Sequence, residues 1–139
     1  KDPAHLEYED VVVEVAAELA RTASRAVAAG MSKERIWLDP GIGFAKTAEQ
    51  NYALIARVEE IAALGFPVLV GPSRKSFIGA ATGAPVGERL GGTAAAVAIS
   101  VLHGARGVRV HDVASMRQAA DTAFALRGAL RARLGGADA

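Results

Sequence analysis

The chain alternates between two hydrophobic rhythms. Four long stretches space their apolar residues by three and four positions, and three short runs are apolar almost without a break. The first long stretch predicts a helix over about residues 8–29. Val12, Val15, Ala16 and Leu19 form its buried face, and Gly30 is its C-terminal stop. Residues 35–38 (Arg-Ile-Trp-Leu) read as a strand. Thr47 with Gln50 has the pattern of a capping box and opens a second helix, striped by Leu54, Val58 and Ile61 and ended by Gly65. Residues 68–70 read as the second strand. The Gly-, Ser-, Pro- and Thr-rich residues 71–87 read as a loop longer than a connection requires. A third helix carries Leu90, Ala94, Val97 and Val101 and stops at Gly104, and residues 107–110 form the third strand. Ser115 with Gln118 repeats the capping-box pattern and opens a last helix to about residue 134. The tail "GGADA" is expected to be loose.

Strands separated by full helices run parallel, because the crossover helix returns the chain to the same end of the sheet. The expected class is α/β with right-handed βα units and strands covered on both faces. In such folds the ligand site gathers at the carboxyl ends of the strands. Three polar clusters fall at that edge: Asp39, then Gly71 to Lys75, then Arg109 to Asp112.

No repeat, linker or low-complexity segment divides the chain, so residues 1–139 are read as one domain. Half of it is hydrophobic (51%), enough for a core, and a net charge of +1 argues against a general nucleic-acid binder. The absence of cysteine excludes disulfides and thiolate metal sites and fits a cytoplasmic protein. The polar opening "KDPAHLEYED" has neither an initiator methionine nor a leader pattern. The greasiest stretch, residues 94–102, contains Ser100 and is too short to span a bilayer, so a soluble protein is expected.

Each cluster has a functional reading and a plain one. Alternation puts Trp37 and Asp39 on one strand face, with Ile36 and Leu38 on the other. An inward Asp39 accepts N–H donors from a ring, and Pro40-Gly41-Ile42-Gly43 lets a flat ligand approach the backbone. The plain alternative is that Asp39 caps a turn. A phosphate loop is excluded, because the Lys46-Thr47 pair is preceded by Ala45 and Pro40 where that motif needs glycines. After the second strand, extended geometry points Ser73 and Lys75 the same way as Leu69 and Gly71, with Arg74 elsewhere; the plain alternative is a solvated basic surface. In "VRVHDV", Arg109 and His111 share a face, and with the following helix start they make an anion site. The alternative is a His111 bonded to a neighbour and an Arg109 paired with Asp112. His5 stands alone, and His103 at a helix end favours the dipole. No nucleophile–base set and no metal-ligand spacing is present, so binding of an anionic leaving group and a polar heterocycle is the chemistry implied.

In their order, "LDPGIGFAKT", "LVGPSRKSFIG", "ERLGGTAAAVA" and "VRVHDV" closely resemble the C-terminal half of dihydropteroate synthases, over nearly the whole chain from about Pro3 to the last helix. The resemblance implies the last three or so βα units of a (β/α)8 barrel. It implies condensation of p-aminobenzoate with 6-hydroxymethyl-7,8-dihydropterin diphosphate in folate biosynthesis, with sulfonamides competing for the p-aminobenzoate subsite. It also implies roles: pterin on Asp39 and Lys75, with Gly71 and Arg109 alongside; diphosphate on Arg109 and His111; p-aminobenzoate near Phe44, Ser73, Arg74 and Ser76. Asp39, Lys75, Arg109 and His111 form the catalytic set. Mg2+ is implied too, with its protein ligand outside this chain and no metal site within it. A homodimer through the C-terminal helices is also implied.

One departure is Ala45, where the family usually has glycine. The other is length: with three strands of an expected eight, the chain alone is expected to be inactive. Two rival readings are a pterin-binding barrel of a corrinoid methyltransferase, against which the Ser-Arg-Lys-Ser run and the Arg-x-His pair argue, and a non-catalytic half-barrel assembly module.

Overall fold

The computed structural model describes residues 7–135. Helix α1 (Val11–Ala28) starts where Asp10 can cap it: the carboxylate accepts from Val12 N at 2.9 Å and Val13 N at 3.2 Å. It therefore begins three residues later than the apolar spacing suggested. Val12, Val15 and Ala23 are buried as that spacing requires. At the other end Gly30 adopts φ 93°, and the paired bonds Gly30 N to Val27 O and Met31 N to Ala26 O close the helix.

Residues 36–38 are extended and alternate as expected. Ile36 and Leu38 are buried, whereas Trp37 is 51% exposed. They form only a bridge, Leu38 to Val68, rather than a full strand, and Arg35 instead closes a 3-10 turn, Lys33–Arg35. Strand β1 (Leu69–Val70) pairs in parallel with β2 (Gly107–Val108), with Leu69 opposite Gly107 and Val70 opposite Val108. The three extended segments thus lie side by side in the order 38, β1, β2, all parallel. This is the α/β arrangement that the helix–strand alternation demanded.

The second predicted helix is two: α2 (Ala48–Ala56) and α3 (Val58–Ala62), broken at Arg57. Arg57 leaves helical geometry (φ −120°, ψ 29°), and its guanidinium forks between Asp10 at 2.9 Å and Glu60 at 2.6 Å, tying the break to the start of α1. The Thr47–Gln50 capping box is present in both directions. The stretch read as a long loop contains helix α4 (Ser76–Thr82), which buries Phe77 and Ile78 and ends on Gly83 at φ 73°. Its two large apolar residues, Phe77 and Ile78, are adjacent and the element is only seven residues long, so no helical period shows and the element was invisible to spacing.

Helix α5 (Leu90–Leu102) turns a slightly different face inward than its apolar spacing implied. Val97 and Val101 are buried, but so are Thr93, Ala96 and Ser100, while Leu90 is 45% exposed. The reason is close packing on α4. A Cβ at Gly92 would collide with Ile78, so small residues face that helix. The last helix, α6 (Val113–Gly135), starts two residues before Ser115, and Asp112 O accepts from Met116 N. Ser115 therefore lies in the first turn rather than capping it. Among the residues of α6 whose burial is described, Met116 and Ala123 are buried, while Phe124, Leu126 and Leu130 face outward. No helix among the described residues is long and apolar enough to cross a membrane. His5, Pro3 and residues 136–139 of the tail lie outside the described residues.

Candidate active site

The three polar clusters converge at the carboxyl edge of the extended segments, each in a local setting of its own. Asp39 sits at the tip after Leu38, and its Oδ1 accepts the backbone N–H of Gly41 at 2.8 Å. The turn-capping contact is therefore real, but the carboxylate also lies in the field of two lysines, Lys46 and Lys75. The loop beyond it takes positive φ at Gly41 (69°), Gly43 (75°) and Ala45 (47°). The left-handed Ala45 explains what a glycine would offer there. Gly43 has a second reason: a Cβ there would stand 2.5 Å from Lys75 Cδ. That glycine admits the lysine's hydrocarbon stem.

Lys75 crosses from the turn after β1 to the loop after Leu38. Its ammonium donates to Ile42 O and lies 4.5 Å from the centroid of the Phe44 ring. Burial pushes its pKa below the ordinary lysine range. Arg109 and Lys46 push the same way, and Asp39 opposes them. Phe44 itself is 58% exposed and offers a flat wall at the mouth.

Extended geometry does not continue through the turn after β1. Arg74 adopts φ 59°, so the chain swings there and sends three successive side chains to three places. Ser73, 6% exposed, goes to His111. Arg74 forks onto Asp112 at 2.7 and 3.1 Å. Lys75 goes to Ile42 and Phe44. Ser73 and Lys75 therefore do not share a target, as alternation had implied. The turn is clamped from α5: Thr93 Oγ1 accepts Arg74 N at 3.1 Å, and Arg89 Nη1 donates to Arg74 O at 3.0 Å. Ser76 opens α4 on the exposed side. Gly71 lies between Arg109 and the Lys75 ammonium, each 3.9 Å from where its Cβ would stand, an ordinary contact distance.

At the β2 tip, Arg109 N donates to Val70 O at 3.0 Å, and the Arg109 and His111 side chains are both exposed. The alternative pairing of Arg109 with Asp112 does not occur. Asp112 belongs to Arg74, whose hydrogen bond holds the carboxyl below the usual carboxylate range. Arg109 therefore has no acidic partner among the described residues, and its guanidinium is available to an anion. The start of α6 lies immediately beyond, at Val113. His103, read as a helix-end residue, is the C-cap of α5 and pairs with Glu59 at 2.7 Å.

Four contributors escaped the sequence reading. Lys46, weighed there only as half of a phosphate-loop pair, donates to Gly41 O and Phe44 O and is pushed down by burial. Asn51 is 1% exposed; its Oδ1 accepts Gly43 N at 2.6 Å and its Nδ2 donates to Thr47 O at 2.6 Å, pinning the loop. An Asn within an apolar helix was the available hint. Thr93 and Arg89 had none, since their partners lie far away in sequence. No cluster of three or more His, Asp or Glu suited to a metal ion occurs among the described residues, and Asp39 faces lysines.

On an α/β scaffold, the parallel strand tips bring together Asp39, two half-buried lysines, the Arg74–Asp112 pair, and an arginine with no acidic partner among the described residues beside a histidine. The chain belongs to the pterin binding enzyme family, whose pattern matches residues 1–111. It is 48% identical over 112 residues to a dihydropteroate synthase of Mycobacterium leprae, covering 76% of this chain and 39% of that one. Two dihydropteroate synthase structures from Thermus thermophilus, in complex with 4-aminobenzoate and with 6HMPPP, superpose with a TM-score of 0.82 at 47% identity, covering 89% of this chain and 48% and 49% of theirs. A Xanthomonas albilineans dihydropteroate synthase in complex with 7,8-dihydropteroate gives 0.83 at 39% identity, covering 87% and 47%. The chain thus spans about two fifths of the length of the curated relatives it matches.

Proposed function

We propose that this chain supplies the C-terminal part of the active site of a dihydropteroate synthase, as the last βα units of a (β/α)8 barrel. The reaction joins p-aminobenzoate to 6-hydroxymethyl-7,8-dihydropterin diphosphate, giving 7,8-dihydropteroate and diphosphate. The observation that carries this reading is the division of labour at one edge: a carboxylate flanked by lysines stands beside an arginine with no acidic partner. Asp39 accepts ring N–H groups of the pterin, and Lys75 donates to ring acceptors beside Gly71. Arg109 and His111 hold the diphosphate and stabilise the charge that develops on it as the C–O bond breaks. Phe44, Arg74 and Ser76 border the place of the p-aminobenzoate, whose aniline nitrogen needs no general base to trap the cation. Sulfonamides compete there.

Mg2+, which the family resemblance implies, would take its protein ligand from another part of the barrel. The outward Phe124, Leu126 and Leu130 of α6 favour association through the C-terminal helices into a homodimer. The absence of cysteine suits a cytoplasmic location.

The test is pterin binding in the full-length protein. Asp39→Ala and Lys75→Ala each weaken it roughly ten- to a hundredfold while the fold persists. Unchanged affinity in the Asp39 variant reduces that residue to a turn cap and contradicts the assignment. Thermal protection by diphosphate separates the synthase from a methyltransferase-type pterin barrel, which releases none.

A further inference from the structure

Ser73 is the most deeply buried polar side chain at the strand tips, 6% exposed, and its hydroxyl oxygen has two neighbours, both on His111. The backbone N–H of His111 donates to Oγ at 3.2 Å, and His111 Nδ1 lies 2.9 Å from the same oxygen. A buried hydroxyl must both accept and dispose of its own hydrogen. If Nδ1 carried a proton, Oγ would accept twice and its own hydrogen would have no partner among the described residues. If Oγ–H donates to Nδ1, every group is satisfied. A neutral imidazole bears one proton, so it then sits on Nε2, the nitrogen not engaged by Ser73.

We infer that Ser73 is a positioning residue that holds neutral His111 in the Nε2–H tautomer, so that the ring presents a donor rather than a lone pair to an anion at the β2 tip. The rest of the turn supports this role. The Arg74 backbone is held by Thr93 and Arg89 and its side chain by Asp112, so the serine is fixed from the residue that follows it. Resemblance groups Ser73 with p-aminobenzoate, but its burial directs the hydroxyl to the histidine instead. The inference rests on the proposed reading of Arg109 and His111 as the diphosphate site.

The experiment uses the full-length protein with 15N-labelled histidine at a pH of about 8.5, above the ordinary imidazole range. His111 is assigned by the signal lost in His111→Gln, and the folding of Ser73→Ala is checked by circular dichroism. The wild type is expected to show protonated Nε2 and bare Nδ1, and Ser73→Ala a mixture of tautomers. Titration with inorganic diphosphate should show roughly a fivefold loss of affinity in Ser73→Ala, with p-aminobenzoate affinity unchanged. A wild-type His111 protonated on Nδ1, or a Ser73→Ala variant with the wild-type tautomer, overturns the inference. So does a variant that loses p-aminobenzoate and keeps diphosphate. A wild type that binds no diphosphate contradicts the synthase reading instead, and the tautomer spectra still decide the role of Ser73.

Discussion

The two loops that carry Asp39 and Lys75 are held in opposite ways. Residues 39–47 are organised almost wholly from within. Asp39 closes its own turn on Gly41, positive φ recurs at alternate positions, and Asn51, only four residues beyond the loop, ties it to the first turn of α2. Residues 71–75 contain one left-handed residue, Arg74, and almost nothing local to justify it. Its conformation is imposed by Thr93, Arg89 and Asp112, contacts spanning 15 to 38 residues. Lys75 joins the two loops, its stem lying where Gly43 has no Cβ. The first loop is shaped by its own sequence, the second by its neighbours.

Removing the pin of the first loop should have the largest effect. Asn51→Ala empties a buried side-chain position and leaves Gly43 N and Thr47 O without their side-chain partner, and stability in urea is expected to fall by about 3 kcal/mol. Next comes the clamp of the second. Thr93→Val keeps shape but removes the acceptor of Arg74 N, at an expected cost of about 1–2 kcal/mol. A clamp that matters should also lower pterin affinity; if the Thr93 variant unfolds and binds like the wild type, the second loop is locally determined after all. Ala45→Gly should act in the other direction, relieving a left-handed alanine and raising stability by about 1 kcal/mol in the same urea titration.

The smallest effect is that of pH on the Arg74–Asp112 pair. The pair holds the Asp112 pKa below its unfolded value, near 3.8. Its contribution is fully present above that value and is lost as pH falls through the folded pKa. Asp112→Asn should therefore be slightly less stable than the wild type above pH ~4 and converge on it as pH falls below that, a narrowing difference visible by circular dichroism.

The same contrast explains what the sequence revealed. The Schellman stop at Gly30, the Thr47–Gln50 box, the burial of Ile36 and Leu38 and the parallel order of the strands are all written within a few residues of where they act. The break at Arg57 depends on Asp10, 47 residues away, and helix α4 is too short to carry a period. Proximity offered Asp112 only to Arg109; the structure gives it to Arg74, 38 residues away, and that choice leaves Arg109 without an acidic partner among the described residues. The positions of Asp39, Lys75, Arg109 and His111 at one edge were legible because strand tips are predictable in a parallel fold. The contacts of Lys46, Asn51, Arg89 and Thr93 were not.

The central claim is that Arg109 stands ready for an anion at the β2 tip. Calorimetric titration of diphosphate into wild-type protein and Arg109→Ala tests it most directly. The account predicts binding by the wild type and a loss of roughly ten- to a hundredfold in the variant. Arg109→Lys should recover only part, since an ammonium cannot make the planar two-point contact, and binding of the pterin alone should change less. Equal diphosphate affinity in wild type and Arg109→Ala would contradict the account.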